Sequence, residues 1–327
     1  MMTTVGRVAL LVLLLVAVSG VADDAGAQTY PTKPVKMVVP IPPGGPTDLM
    51  ARYVAQRLSE ELGQPVVIEN RPGAQGIVGS EAVAKSPADG YTLMTGTVGT
   101  HAINAALYSK LPYDPVKDFE AVALLASTPN VLLVHPSLNV KSVSDLIALA
   151  KSKPGALNFS SGGNGATNHL AGELFKSMAK VDMVHVPYQG NAAALVDLLA
   201  GRVPIGWQIP STVAQHIKSG KVLALGVTSP KRTTSMPDVP TIAESGLPGY
   251  EVALWYGVFA PAGTPKAIVN RLNAEIMKAL ATPEARERLT GWDAEFTPNT
   301  PEQFTTRLKA DIAKWAEVVK AAGARLD

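Results

Sequence analysis

Short runs of Val, Ile and Leu alternate with longer stretches of helical periodicity along almost the whole chain, and this alternation restricts the fold more than any other feature. The first apolar runs lie at 35–41, 65–69 and 91–95, and helical patterns at 47–62 and 76–85 separate them. Each helical pattern is long enough to connect two parallel strands. The early part of the chain therefore predicts strand–helix–strand units.

The same alternation returns in the middle of the chain. Strands are predicted at 131–135, 156–160, 183–187, 203–208 and 222–228, with helices at 143–151, 167–178, 192–200 and 213–218. The C-terminal portion adds a predicted strand at 251–259, a helix at 265–280 and a last helix that Thr300 caps and Gly323 ends. Since 327 residues suffice for about two domains of roughly 150 residues each, we predict two α/β lobes.

The first 27 residues are expected to form a secretory signal peptide. A basic residue precedes an apolar run at 8–18, which is too short to span a bilayer because a spanning helix needs about 20 apolar residues. Ala25-Gly26-Ala27 fits a small-residue cleavage site, so the mature chain is expected to begin at Gln28, with Ala22 as the second choice. We therefore expect the mature protein to be soluble and exported.

Composition excludes several classes of protein. The chain has no cysteine, which rules out disulfides, thiol catalysis, iron–sulfur clusters and cysteine zinc sites. Its 29 basic and 27 acidic side chains give a formal charge of only +2, so no nucleic-acid surface is indicated. The five histidines lack metal-ligand spacing, and no nucleophile elbow, HExxH zinc motif or P-loop occurs. We expect no metal, no cofactor and no catalytic residue.

A glycine-rich turn follows the first predicted strand and leads into the first predicted helix. It contains Gly44, Gly45, Thr47 and Asp48. Helix N-termini carry unpaired N–H groups and partial positive charge, so an anion could be held there. In the alternative interpretation the glycines only make a tight turn, and Thr47 or Asp48 caps the helix.

A second glycine-rich turn has the same position relative to a later strand and helix. It offers Ser161, Asn164, Gly165 and Thr167, and Asn168 stands where a dinucleotide fingerprint would have its third glycine. The alternative is a polar loop capped by Thr167. Both turns follow the carboxyl ends of strands, one in each predicted lobe, which is where open α/β sheets bind ligands. Together they predict an anion site between the lobes.

Two further turns connect a strand to a helix. Thr97, Thr100 and His101 lie in one of them, and Tyr188 and Gln189 lie in the other. Each could face a ligand, although an ordinary turn is the better explanation of either one taken alone.

A secreted hydrolase is the alternative chemistry, with Ser161 as the nucleophile and His169 as its base. A polar histidine in the first turn of a helix explains His169 better. The hydrolase predicts that Ser161→Ala destroys turnover and leaves binding intact.

A series of short motifs runs through the mature chain in a fixed order. The motifs are Tyr30-Pro31, Lys33-Pro34-Val35, Pro43-Gly44-Gly45-Pro46-Thr47-Asp48, Gly63-Gln64-Pro65-Val66-Val67, Glu69-Asn70-Arg71-Pro72-Gly73, Asp89-Gly90-Tyr91-Thr92-Leu93, Leu111-Pro112-Tyr113-Asp114, His169-Leu170-Ala171-Gly172-Glu173-Leu174-Phe175, His185-Val186-Pro187-Tyr188 and Asp238-Val239-Pro240-Thr241. In this order they resemble the Bug/TctC family of periplasmic substrate-binding proteins of tripartite tricarboxylate transporters.

The resemblance implies a two-lobed type II periplasmic-binding-protein fold with a hinge between two Rossmann-like lobes. Lobe 1 would comprise 28–126 and 228–327, lobe 2 would comprise 127–227, and the ligand cleft would lie between them. The residues carried over as ligand contacts are Gly44, Gly45, Thr47, Asp48, Ser161, Asn164, Gly165 and Thr167. The loops holding Thr97, Thr100 and His101, and Tyr188 and Gln189, would form walls.

The implied function is a non-enzymatic receptor, expected to be a monomer, that delivers a dicarboxylate, tricarboxylate or aromatic acid to membrane permease subunits. A ligand sensor that docks a signalling partner is the alternative. One departure concerns Gln208, because many similar proteins have an acidic residue there. We hypothesise that the neutral amide disfavours amino-acid ligands and that Trp207 favours an aromatic or longer apolar body.

Overall fold

A computed structural model describes residues 30–324. The predicted signal peptide, residues 1–27, and its cleavage site after Ala27 lie outside these residues. None of the helices within 30–324 is long and apolar enough to cross a membrane.

Strands and helices alternate along the chain as the sequence pattern predicts. The strands are β1 Val35–Val39, β2 Val66–Asn70, β3 Thr92–Thr97, β4 Phe119–Pro129, β5 Val131–Val134, β6 Asn158–Ser161, β7 Val184–Pro187, β8 Ile205–Gln208, β9 Leu223–Val227 and β10 Ala253–Pro261. The α-helices are α1 Pro46–Leu62, α2 Ile77–Ala84, α3 Asn104–Leu107, α4 Val143–Ser152, α5 Thr167–Ala179, α6 Asn191–Leu199, α7 Pro210–Lys218, α8 Lys266–Leu280, α9 Pro283–Gly291 and α10 Pro301–Ala322.

The strands form two five-stranded sheets with equivalent strand orders. The first sheet has the order β2-β1-β3-β10-β4, and the second has the order β7-β6-β8-β5-β9. In the first sheet β1 pairs in parallel with β2 and β3, whereas β10 is antiparallel to both its neighbours. In the second sheet β6 pairs in parallel with β7 and β8, and β5 is the antiparallel strand. We call each sheet with its packed helices a lobe, so the predicted two-lobed α/β fold is confirmed.

Two chain segments connect the lobes. Asn130 alone separates β4 from β5, and residues 228–252 lead from β9 back to β10. The Asn130 N–H donates to Thr228 Oγ1 at 2.8 Å, and the Thr228 N–H donates to the Asn130 carbonyl at 2.8 Å. The Thr228 hydroxyl also donates to the Val252 carbonyl. The two segments are therefore bonded together at one buried point.

Of the two predicted lobe boundaries, one coincides with the end of a strand and the other does not. The boundary at 126/127 falls inside β4, which continues to Pro129, whereas the boundary at 227/228 coincides with the end of β9. The domain limits themselves stay a prediction.

The pattern missed β4, the helical segment after β3, and α9. The predicted turn at 95–101 runs into a π-helical segment, Gly99–Ile103, which continues into α3. The strand β4 pairs with β10 along its whole length. Strand formation depends strongly on pairing partners, and this partner lies far away in sequence, so a local pattern does not reveal it.

Trp207 belongs to the hydrophobic core. It is fully buried, and its ring meets those of Phe159 and Phe175 edge-on, with centroids 5.7 and 5.8 Å apart. The hypothesis that Trp207 favours an aromatic ligand is therefore wrong, because its alternation along β8 directs it into the core.

Candidate functional site

The first glycine-rich turn is held by a buried carboxylate. Gly44 has a φ of 90°, and Gly45 is the N-cap residue of α1, with no side-chain cap. Asp48 Oδ2 accepts hydrogen bonds from the Gly44 N–H at 2.9 Å and from Arg52 Nε at 2.8 Å. Its Oδ1 accepts from Asn70 Nδ2 at 2.8 Å. Asp48 therefore fixes the conformation of the turn through these hydrogen bonds, and it does not cap helix α1.

These donors also keep Asp48 ionised. Burial alone would raise the pKa of Asp48, but the hydrogen bonds from Arg52, Gly44 and Asn70 outweigh burial and hold the pKa below its ordinary value of 3.8. The neighbouring Thr47 is buried too. The free N–H groups at the start of α1 thus lie beside a carboxylate that is already neutralised by Arg52.

Ser161 closes the second glycine-rich turn. Its Oγ accepts from the Gly163 N–H at 3.1 Å and lies 2.6 Å from His185 Nε2. The Gly165 N–H donates to His169 Nδ1 at 3.1 Å. Asn164 is exposed. Both hydrogen-bonded side chains, of Ser161 and His169, are buried, so they shape the turn from within.

Helix α5 begins at the end of this turn without a side-chain cap. Its N-cap residue is Ala166, and the half-buried Thr167 is already the first helical residue. The alternative in which Thr167 caps the helix is therefore wrong. The first N–H groups of α5 remain available to an anion.

Two histidines stack beneath the second turn. The rings of His169 and His185 are 3.8 Å apart and nearly parallel, at 20°. Burial lowers the pKa of His169 to about 3, with smaller contributions from His185 and Lys176. Burial, followed by Lys176, lowers the pKa of His185 to about 4. Both rings are thus neutral at neutral pH, which allows one nitrogen of each ring to accept a hydrogen bond.

The two stacked histidines, His169 and His185, predict that stability decreases in mild acid. The unfolded chain binds protons on His169 and His185 near pH 6.5, whereas the folded protein binds them only near pH 3 to 4. The free energy of unfolding should therefore fall as the pH drops from 6.5 towards 4. Urea denaturation at several pH values measures this, and His185→Gln should make the decline shallower. An equally steep decline in that variant would contradict the prediction.

The structure does not assemble the predicted hydrolase site. Ser161 Oγ contacts His185, and His169 is instead bonded to the turn, so His169 is not the base of Ser161. His169 Nε2 lies 3.9 Å from Glu173 Oε1. Because Ser161 is fully buried, a substrate carbonyl cannot reach its hydroxyl without rearrangement of the turn.

The third predicted loop is packed inside the first lobe. Thr97, Thr100 and His101 are all buried, and the Thr97 N–H donates to Thr100 Oγ1 at 2.9 Å. Thr100 Oγ1 lies 2.9 Å from His101 Nδ1, and the His101 ring stacks on Phe259 at 3.8 Å. Burial lowers the pKa of His101 to about 3. These contacts make the loop a support of the site.

The predicted residues of the second lobe differ in exposure. The Tyr188 hydroxyl donates to Asp197 Oδ2 at 2.6 Å, and Gln189 is exposed. Gln208 is buried at the end of β8, and within residues 30–324 its Nε2 has no hydrogen-bond partner. A buried amide donor without a partner is unusual, and a ligand oxygen could satisfy it.

Two asparagines bind the second turn to its surroundings, and the sequence pattern did not assign them a role. Asn168 Oδ1 accepts from the Gly162 N–H at 3.2 Å. Asn168 Nδ2 lies 3.0 Å from Asn191 Oδ1 and 3.3 Å from the Trp207 carbonyl. In the sequence, the feature that could have indicated this role is the position of Asn168 in the first turn of a helix, directly after a glycine-rich loop.

No hydrogen bond within residues 30–324 joins the first turn, 44–48, to the second, 161–168. Over the same part of the chain, no three histidine or carboxylate side chains are grouped so that they could hold a metal ion. The turns therefore offer backbone N–H groups and hydroxyls as their ligand-binding chemistry.

A family model and a related protein sequence both match most of the chain and indicate the same family. Residues 50–324 match the tripartite tricarboxylate transporter family receptor, TctC. Protein BugT of Bordetella pertussis is 39% identical over 96% of this chain and 96% of its own.

Solved structures show the same relationship. Rpa4515 of R. palustris with adipate is 42% identical, with a TM-score of 0.74, over 90% of this chain and 98% of its own. MatC from Rhodopseudomonas palustris with bound malate is 37% identical, with a TM-score of 0.71, over 89% of this chain and 100% of its own.

Proposed function

The chain belongs to the tripartite tricarboxylate transporter receptor family, and from this membership we propose that it is a periplasmic receptor that binds a small organic carboxylate between its lobes. The relatives solved with adipate and malate support a dicarboxylate. We further propose that the loaded receptor delivers this ligand to membrane permease subunits, with a signalling sensor as the alternative partner.

One observation carries the proposal. The helices that follow the two glycine-rich turns, α1 and α5, both begin without a side-chain cap. Each helix follows the carboxyl end of a parallel strand, β1 in the first lobe and β6 in the second. An anion between the lobes would satisfy unpaired N–H groups of both helices and interact favourably with both helix dipoles.

We assign different roles to the residues of this site. The Gly45 N–H and the first N–H groups of α1 and α5 are proposed to contact the carboxylate, with Thr47, Asn164 and Thr167 beside them. Gly44 and Gly165, whose N–H groups donate to Asp48 and His169, are proposed to shape the two turns. Asp48 and Ser161 are proposed to position the turns. The loops with Thr97, Thr100 and His101, and with Tyr188 and Gln189, are proposed to support and line the site.

Hydrogen bonds alone can account for useful affinity. A hydrogen bond to a charged group contributes about 1.5–3 kcal/mol, and a micromolar complex needs about 8 kcal/mol. Four such bonds would approach this value before the ordering costs of binding are subtracted.

Gln208 is proposed to distinguish dicarboxylates from amino acids. Its unpartnered, buried Nε2 can donate to an oxygen of the ligand, and the neutral amide lacks the negative charge that would pair with an ammonium group. A second carboxylate is a suitable acceptor for this donor.

The test is isothermal titration calorimetry with malate, adipate, citrate, benzoate and aspartate. We expect micromolar affinity for a dicarboxylate and at least tenfold weaker binding of aspartate. Gln208→Asp should weaken dicarboxylate binding, because it places a negative charge where the amide was. Stronger binding of aspartate than of any dicarboxylate by the unmodified protein would refute the assignment of Gln208, and failure to bind any carboxylate would refute the function.

A further inference from the structure

A carboxylate from the first lobe caps a helix of the second lobe. Helix α7 begins after Ile209, which provides no side-chain cap. Asp293 Oδ2 accepts a hydrogen bond from the Ser211 N–H at 2.6 Å. This satisfies one of the unpaired N–H groups of α7 and places a negative charge at the positive end of its dipole.

The neighbours of Asp293 and of Ser211 pack in different hydrophobic clusters. Leu289 and Ala294, which flank Asp293 in the chain, pack in the cluster formed on the first sheet. Val213 of α7 packs with Val131 and Val227 of the second sheet. The hydrogen bond between Asp293 and Ser211 therefore crosses from one lobe to the other.

The backbone at Asp293 points to a specific need for its side chain. Asp293 ends α9 with a φ of 51°, and the Asp293 and Ala294 N–H groups donate to the carbonyls of Thr290 and Leu289. This is the helix-ending arrangement in which glycine is usual because it adopts positive φ without strain. Gly63 and Gly323 take that position at the ends of α1 and α10. Aspartate adopts this conformation less readily than glycine but more readily than most other residues.

We propose that Asp293 is a positioning residue that holds the two lobes in the orientation of this structure by capping α7 across their boundary. Rotation of the lobes away from each other would separate the carboxylate from the Ser211 N–H and leave α7 uncapped. The contact therefore stabilises the lobe orientation of this structure relative to an orientation in which the lobes are further apart. Because α7 directly follows β8 and Gln208, the contact also fixes one wall of the proposed ligand site.

The effect on affinity rests on the proposed function, whereas the effect on lobe orientation does not. A ligand that bridges the lobes binds more tightly when the binding orientation is already populated. Loss of the Asp293 carboxylate should therefore weaken ligand binding and also widen the separation of the lobes in the absence of ligand.

The decisive variant is Asp293→Gly, since glycine removes the carboxylate and suits the positive φ. The chain contains no cysteine, so Glu60→Cys in the first lobe and Lys151→Cys in the second, both exposed, provide two unique labelling positions. Electron–electron distance measurements between spin labels should show longer interlobe distances for Asp293→Gly. The Kd for malate or adipate should rise threefold to tenfold, and Asp293→Asn, which keeps a neutral acceptor oxygen, should recover part of both changes.

Ser142→Ala is the matched control. Ser142 caps α4 by accepting from the Asp145 N–H at 3.0 Å, and both residues lie in the second lobe. This variant should lower the melting temperature without changing interlobe distances or ligand affinity. The proposal is overturned if Asp293→Gly leaves the distances unchanged, or if Ser142→Ala widens them equally. Should the unmodified protein bind none of the carboxylates named above, the proposed function fails, and the distances still decide the role of Asp293.

Discussion

Replacement of Trp207 by alanine is expected to lower the free energy of unfolding by about 3–5 kcal/mol, as for other fully buried large aromatic side chains. The indole is completely buried and packs against Phe159 and Phe175. Its removal would leave a cavity in the core of the second lobe that rigid neighbours cannot fill. Urea denaturation followed by circular dichroism measures this change.

Trp292→Ala is the matched control for this loss. Trp292 is half-buried and meets the Tyr53 ring edge-on at 6.3 Å. Folding buries less apolar area at Trp292 than at Trp207. We therefore expect Trp292→Ala to lower the free energy of unfolding by only about 1–2 kcal/mol. Similar losses in both variants would contradict the placement of Trp207 in the core. If Trp207→Ala instead changed the ligand preference and retained stability, Trp207 would be a residue that contacts the ligand.

Asp48→Ala is expected to weaken ligand binding at least tenfold and to lower the free energy of unfolding by about 1.5–3 kcal/mol. Without this carboxylate the Gly44 N–H, Arg52 and Asn70 lose their common acceptor. The turn that is proposed to present backbone N–H groups to the ligand would then lose its fixed shape. Calorimetric titration with malate and urea denaturation measure the two effects.

Glu81→Ala is the control for Asp48→Ala, because within residues 30–324 the Glu81 carboxylate forms an ion pair only with the exposed Lys85. It should change stability by less than about 0.5 kcal/mol and leave affinity unchanged. The lowered pKa of Asp48 gives a further check. Its stabilisation is present above pH 3.8 and is lost as the pH falls through the lower folded value. The stability difference between Asp48→Ala and the unmodified protein should therefore shrink in acid.

Local chemistry made several elements predictable. In the last helix Thr300 Oγ1 accepts from the Gln303 N–H, Gln303 Oε1 accepts from the Thr300 N–H, and Gly323 ends the helix with a φ of 61°. The capping box and the terminal glycine both act over three or four neighbouring residues. A sequence pattern contains all the groups that such interactions need.

The chemistry of the second turn was only partly predictable. The pattern placed Ser161 and His169 at the same junction between a strand and a helix, and the hydrolase alternative paired them with each other. In the structure His185, which comes from β7, approaches Ser161 because β6 and β7 pair in parallel with Ser161 opposite Pro187. Strand register decides which histidine lies near the serine, and register is set by the whole sheet.

The sequence by itself determined the alternation of strands and helices, the positions of the two glycine-rich turns and the family to which the chain belongs. These features depend on residues that are close together in the chain, where periodicity, capping and turn propensity act. The tertiary structure alone decided that Trp207 lies in the core, that Asp48 supports a turn and that Asp293 meets Ser211. Each of these depends on contacts between segments that are brought together only when the sheets form and pack, because burial and hydrogen-bond partners are properties of the folded neighbourhood.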